Sequence, residues 1–379
     1  MAGKLFVTGD LHRTMYRFSS SRFPQQCMLD KEDYVIVCGD FGFVWDLIRE
    51  EKRPWETEEP IPLAEKKESR DETERLDWLE EFPFSVLFVD GNHENFDRLD
   101  AYPVEEWHGG KVHKIRPSVI HLMRGQVFEL AGKKIFTFGG AQSQDISGGI
   151  LEKDDPKRME KEKQLQAAGA LYRVNHLSWW ERELPSDEEM EEGLENLAKH
   201  GNEVDYIITH CCSGEIQKKI DPTMQEKNKL TDYFNSIFRN CKYQKWYFGH
   251  YHEDKTITGQ DVLLYHCVLP LGEVPQEYQP VLGQPRYDMK QPVEFVCPKI
   301  RERGKEYEPG METLVGLVSI RDPYGTFSDP EEPSYDIMSL WNGEKCLYKH
   351  IPESVVRALT AEEIKEHDAL LKKLSARNS

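Results

Sequence analysis

The amino-acid sequence predicts an α/β fold with a small β-rich module at its C-terminal end. Three observations lead there. Residues 5–7, 34–38, 85–89, 204–208 and 245–248 are short, nearly all-apolar runs rich in strand formers, the pattern of strands buried on both faces of a sheet. Each run ends at once in a polar turn, and helical patterns lie between the runs. Six prolines from Pro270 to Pro298 then close this part of the chain, and short strand-like runs follow them.

Taken in order, the first run leads into Gly9-Asp10-Leu11-His12 and the second into Gly39-Asp40. A helix is predicted over 72–82, where Leu76, Trp78 and Leu79 mark an apolar face. The third run leads into Gly91-Asn92-His93-Glu94, after which Asn95 and Asp97 suit the cap of a short helix over 95–101. Residues 126–130 and 134–138, joined by Ala131-Gly132-Lys133, form a hairpin. Segment 145–184 is long, charged and weakly patterned, and is read as a partly helical insertion with a solvated surface. Ser186, with Glu189 three residues on, supplies a capping box for a helix over 186–200. The last two buried runs lead into Thr209-His210 and Gly249-His250-Tyr251-His252.

Proline at the density found over 271–298 blocks regular pairing and predicts a linker or strap. Beyond it, 294–296, 314–320 and 335–340 read as strands, and 361–374 as a terminal helix capped by Thr360 with Glu363. The expected organisation is a first domain over 1–270 with an insertion at about 145–200, the linker 271–298, and a module over 299–379.

Composition excludes several classes. The 379 residues carry 49 Lys+Arg against 68 Asp+Glu, a net charge of −19. Mean hydropathy is −0.68, and no apolar run approaches the roughly 18 residues of a spanning helix, so no membrane partner is expected. The first apolar run leads straight into a polar turn, so no cleavable leader is expected either. Eight cysteines without a C-x-x-C pair read as free thiols of a reducing cytoplasm. The acidic field disfavours duplex nucleic acid but not a small phosphorylated substrate, because a bound metal inverts the local charge.

The strand-end turns carry the chemistry. In an open α/β sheet the carboxyl ends of the strands face one crevice, so residues distant in sequence meet there. Here the set is Asp, Asp, Asn and several His, a mixed O/N donor set suited to divalent manganese, iron, zinc or nickel. Alternate residues of an extended segment point the same way, so D-x-H and H-x-H each present two side chains together. A lone D-x-H occurs by chance; five such turns in fixed order do not. Asp40-Phe41-Gly42 imitates a kinase D-F-G, but the kinase glycine loop, strand lysine and H-R-D motif are missing.

The order D-x-H, G-D, G-N-H-E, H, G-H-x-H resembles the calcineurin-like metallophosphoesterase superfamily over roughly residues 3–270. The resemblance implies two packed mixed β-sheets flanked by helices, a four-layer α+β arrangement. It implies two divalent metal ions, manganese ahead of iron, zinc or nickel. Asp10, His12 and His252 would bind the first, Asn92, His210 and His250 the second, and Asp40 would bridge them. His93 would be a catalytic residue outside the ligand set, an acid or a transition-state stabiliser. The implied reaction is cleavage of a phosphomonoester or phosphodiester by a metal-bridging hydroxide, with a small phosphorylated or nucleotide substrate.

The departures narrow this. Protein Ser/Thr phosphatases of the superfamily carry G-D-x-x-D-R-G at the second motif, whereas Phe43 and Val44 stand where that Asp and Arg would be. A protein phosphatase is therefore not expected. Arg13 is a candidate substrate-binding residue, a phosphate clamp. Cys211-Cys212, Trp179-Trp180, His121 and Arg124 are read first as packing or structural groups. Two alternatives stay open: a non-catalytic metal-binding scaffold, with the C-terminal module holding a protein partner, and a nuclease acting on single strands.

Overall fold

The strand Leu5–Thr8 pairs in parallel with Tyr34–Val37, and Tyr34–Val37 with Ser85–Phe88, in the computed structural model of the chain. The structure describes residues 3–20, 22–46, 68–224, 226–275, 282–299, 310–326 and 332–375. Two units partition the chain: Met1–Arg13 with Asp30–Pro275, and Thr14–Leu29 with Gln276–Ser379.

In the first unit these three strands form the centre of a seven-stranded mixed sheet. Val268–Pro270 adds antiparallel at one edge; Val119–Leu122, Gly110–Arg116 and Val104–Trp107 extend the other. A second, six-stranded mixed sheet is built around Lys133–Phe138, Tyr206–Thr209 and Lys245–Phe248 in parallel. Gln126–Leu130 completes the expected hairpin with Lys133–Phe138.

Side-chain alternation along the strands decides what packs where. Val7, Ile36 and Leu87 of the first sheet meet Ile135, Ile208 and Tyr247 of the second in one core. Phe136, Phe138, Ile207, Trp246 and Phe248 point the other way, against Leu230, Phe234 and Ile237 of the helix Lys229–Asn240. Truncating a side chain such as Phe234, which is fully buried, costs about 3–5 kcal/mol. The helix Arg70–Glu81 covers the first sheet, buries Leu76 and Leu79, and starts at Ser69, whose hydroxyl accepts from the Glu72 N–H. The helix Asp187–Lys199 starts with both halves of the capping box in place, Ser186 and Glu189. Two sheets packed face to face with helices outside them agree with the expected α/β arrangement.

The insertion is partly helical: Arg158–Ala167 buries no residue. It is not all solvated surface. Trp180 is 1% exposed, its ring edge-on to Trp45 with centroids 5.8 Å apart.

The second unit is a five-stranded antiparallel sheet in the order Glu344–Pro352, Ser334–Trp341, Met311–Asp322, Pro292–Pro298, Val356–Ala358. One face buries Tyr287, Phe295, Val318 and Ile337; the other packs Val315 and Leu317 on Leu371 and Leu374. The terminal helix is two, Ala361–Glu366 and Asp368–Ser375, and Leu371 and Leu374, the buried leucines, both lie on the second.

Two boundaries differ from the sequence reading. Pro292–Pro298, which contains the expected strand 294–296 but also the end of the expected linker, is an inner strand of this sheet. Its prolines stand at its first and last positions, where a missing N–H is tolerated, and Val293, Phe295 and Cys297 alternate inward between them. Residues 276–281 of that linker and 300–309 of the module lie outside the described residues. Thr14–Leu29, expected in the first domain, belongs to the second unit. The turn Pro24–Met28 packs on Pro292–Pro298 and Met311–Asp322, with Cys27 Sγ 3.6 Å from Met311 Sδ and Arg22 Nη1 3.6 Å from Glu332 Oε1. Nothing in the periodicity of so short a segment tells which sheet it joins.

Candidate metal centre

The turns after the parallel strands bring their polar residues together as the topology requires. Asp10, His12 and His252 place ligand atoms within 4.8 Å of one another, and so do Asp10, Asp40 and His210. His252 Nε2 is 3.2 Å from Asp10 Oδ2, and His12 Nε2 is 3.0 Å from His252 Nε2. Asp40 spans both groups: Oδ2 lies 3.8 Å from His12 Nε2 and Oδ1 3.3 Å from His210 Nε2.

The second group is defined by a tautomer. His210 Nδ1 lies 2.8 Å from the Cys38 carbonyl and donates to it, which turns Nε2 to the site. Asn92 Oδ1 is 3.2 Å from that nitrogen. Three lone-pair atoms, His210 Nε2, Asp40 Oδ1 and Asn92 Oδ1, therefore converge, and only a proton or a cation between them makes the contact favourable. Asp10 Oδ1 is also 3.8 Å from His210 Nδ1, but that is the nitrogen committed to Cys38. His250 lies beside His210, ring centroids 5.0 Å apart; its Nε2 is buried with no hydrogen-bond partner among the described residues. An orphaned buried imidazole nitrogen next to two buried carboxylates fits a metal ligand.

Backbone strain is concentrated here. His12, Asp40, His250 and His252 have φ of +48°, +42°, +70° and +54°, each costing about 1–3 kcal/mol. Two glycines allow the close approach: a Cβ on Gly249 would fall on the Asp10 carboxylate, and one on Gly91 on that of Asp40. Backbone donors complete the cradle. His250 N–H donates to Asp10 at 3.0 and 3.1 Å, and His93 N–H to Asp40 Oδ1 at 2.8 Å.

Electrostatics point the same way. Burial alone would raise the Asp40 carboxyl, but His210, His93 and His12 hold it well below the usual carboxylate range. Burial works against charge on His210, yet Asp40 and Asp10 outweigh it and hold the imidazole up at about 10. Burial and the neighbouring His210 push His250 down to about 3. A fully buried pair of carboxylates thus draws on the nearest base for positive charge, the demand a bound cation meets.

His93 stands at the rim with its ring 5.4 Å from that of His12. Burial lowers its imidazole, Asp40 and Asp145 oppose this, and Arg173 adds to it. Asp145 and Arg173, which pair at 3.0 and 2.5 Å, come from the insertion and carried no sequence signal. Glu94 holds the Asp40 turn, accepting from the Phe41 and Gly42 N–H groups at 2.7 and 3.1 Å.

Arg13 reaches Asp46 at 3.0 Å and Asp71 at 3.6 Å, so a phosphate would have to displace a carboxylate from it. His121 and Arg124 grip buried Asp90 at 3.2 and 2.5 Å. Cys211 and Cys212 are fully buried, and burial pushes both thiols well above their ordinary value. Asn95 caps the short helix Phe96–Leu99 through the Arg98 N–H. A pocket of about 270 Å³ is lined by Gln144, Gln217, Met224 and Glu226; Gln217 Nε2 donates at 2.9 Å to the hydroxyl of Tyr251, which stands between His250 and His252.

The family model described as calcineurin-like phosphoesterase matches residues 3–254. No curated protein matches the chain.

Proposed function

The chain belongs to the calcineurin-like phosphoesterase family, and from that membership and the site geometry we propose a two-cation phosphohydrolase acting on a small phosphomonoester or phosphodiester. Asp10, His12 and His252 would hold one cation, Asn92, His210 and His250 the other, and Asp40 would offer an oxygen to each. The observation that carries the reading is the placement of Asp40: each of its oxygens faces one group, His12 at 3.8 Å and His210 at 3.3 Å. Donors are N and O only, with both nearby thiols buried, a set that suits manganese, iron, zinc or nickel. When bound, two such cations supply Lewis-acid charge to the phosphoryl oxygens and a nucleophile from water near neutral pH.

The protein's own groups do the rest. Asp40 fixes the His93 backbone through its N–H, which sets the imidazole at the rim. Without substrate, burial lowers that imidazole, while Asp40 and Asp145 oppose the shift. A phosphoryl group brings negative charge, favours the protonated ring, and lets His93 donate to the leaving oxygen, a contribution of about 10²–10⁴-fold. The eight cysteines are free, which supports a reducing compartment, the cytoplasm.

Hydrolysis of a panel of mononucleotides, cyclic nucleotides, dinucleotides and sugar phosphates, with manganese added, tests the proposal. Metal-dependent turnover of at least one class is expected. Metal binding with no turnover of any member would favour a scaffold instead.

A further inference from the structure

An asparagine ligand has a problem that an aspartate does not: only one of its two terminal atoms can bind a cation. Asn92 is 5% exposed and must present Oδ1, not Nδ2, to the site. What surrounds the far side of the amide decides this. Asn92 Nδ2 is 3.3 Å from Ser143 Oγ. A serine hydroxyl can donate or accept, so Ser143 alone would not choose.

Ser143 is itself gripped. Its N–H donates to Glu183 Oε2 at 2.9 Å and its hydroxyl to Glu183 Oε1 at 2.7 Å. Burial pushes the Glu183 carboxyl up to about 7, against the two Ser143 bonds that favour its ionised form; with Glu183 ionised the single hydroxyl proton is spent on the carboxylate, so Ser143 offers Asn92 only lone pairs. Lone pairs accept the Nδ2–H and repel Oδ1. The amide is therefore turned with its oxygen toward His210 Nε2, 3.2 Å away.

Glu183 is 2% exposed and lies in the turn Glu181–Glu183 at the end of the insertion, directly after buried Trp180. A carboxylate this buried is costly unless it is used. We propose that Glu183 and Ser143 are positioning residues that set the amide orientation of Asn92, so that the insertion, rather than the strand-end motifs alone, determines the affinity of the second cation. This rests on the two-cation reading above.

Manganese binding measured by calorimetry on the full chain tests it, with circular dichroism as a check on folding. Glu183→Ala and Ser143→Ala should each weaken one of the bound equivalents by about 10–100-fold, the usual size for a group supporting a metal ligand. Ser143→Ala removes a single oxygen, so it serves even if Glu183→Ala does not fold. The discriminating variant is Asn92→Asp, whose carboxylate shows an oxygen either way. In that background Ser143→Ala and Glu183→Ala should change the affinity less than about twofold. Equal losses in both backgrounds would mean a merely structural role and overturn the inference, as would no loss in the natural background. An Asn92→Asp protein that cannot hold the second equivalent would overturn it too. A natural chain that binds no manganese would instead overturn the two-cation reading, and this inference with it.

Discussion

His210 turns Nε2 to Asp40 Oδ1 at 3.3 Å while its other ring nitrogen is held by the Cys38 carbonyl at 2.8 Å. The imidazole is fully buried, and the strand end that carries Cys38 decides which of its nitrogens faces the carboxylates. His210 follows a strand of the second sheet and is thereby turned toward carboxylates carried by the first.

Asp40→Asn should lose metal from both positions and abolish turnover while keeping the fold. The substitution removes a buried charge but keeps an oxygen for the His93 N–H, now bound at 2.8 Å. Metal content by mass spectrometry is the check. Retention of two equivalents would contradict the bridging role.

His93→Ala should retain metal and lose roughly 10²–10⁴ in rate on esters with poor leaving groups. On nitrophenyl esters the loss should be smaller, because nitrophenolate hardly needs a proton. Equal losses on both would remove the general-acid assignment.

His113 gives a stability prediction away from the site. Burial, helped by His121, lowers its imidazole from 6.5 to about 4, and its Nδ1 lies 3.1 Å from that of His121. Between these values the unfolded chain binds a proton that the folded one does not, so stability falls as pH drops from about 6.5 to about 4. The loss is on the order of 3 kcal/mol. His113→Gln should flatten the Tm profile over that window; an unchanged profile would contradict the assignment.

Much of this was legible in the sequence. The five buried strands announce themselves because both faces are covered and almost every residue is apolar, and their polar ends follow directly, so Asp10, Asp40, Asn92, His210 and the two histidines of Gly249-His250-Tyr251-His252 could be placed before any coordinates. Edge strands were harder. Val104–Trp107 has an exposed, mixed pattern that resembles a loop. Glu183, Ser143, Asp145 and Arg173 were illegible for a different reason: each acts through a partner at least 28 residues away, and in or beside a charged insertion such residues look like surface.

The segment Thr14–Leu29 changes what removing the C-terminal part should do. A chain stopped near residue 285 keeps every proposed ligand but loses the sheet on which Pro24–Met28 packs. Phe18 and Phe23, at 1% and 0% exposure, belong to the unit that is cut, and His12 lies two residues before it. The truncated protein should show a lower Tm and aggregate more readily than the full chain. A soluble truncation with full metal content and unchanged Tm would show that the second unit is dispensable to Thr14–Leu29.

The most direct measurement is a manganese titration of the metal-free full chain, with turnover of nitrophenyl phosphate and bis-nitrophenyl phosphate followed at each addition. Six side chains arranged around Asp40 predict no activity without metal, little with the first equivalent, and a rise to the full rate as the second binds. Full activity in the chelated protein, or a rate that saturates at a single equivalent, would contradict a two-cation phosphohydrolase.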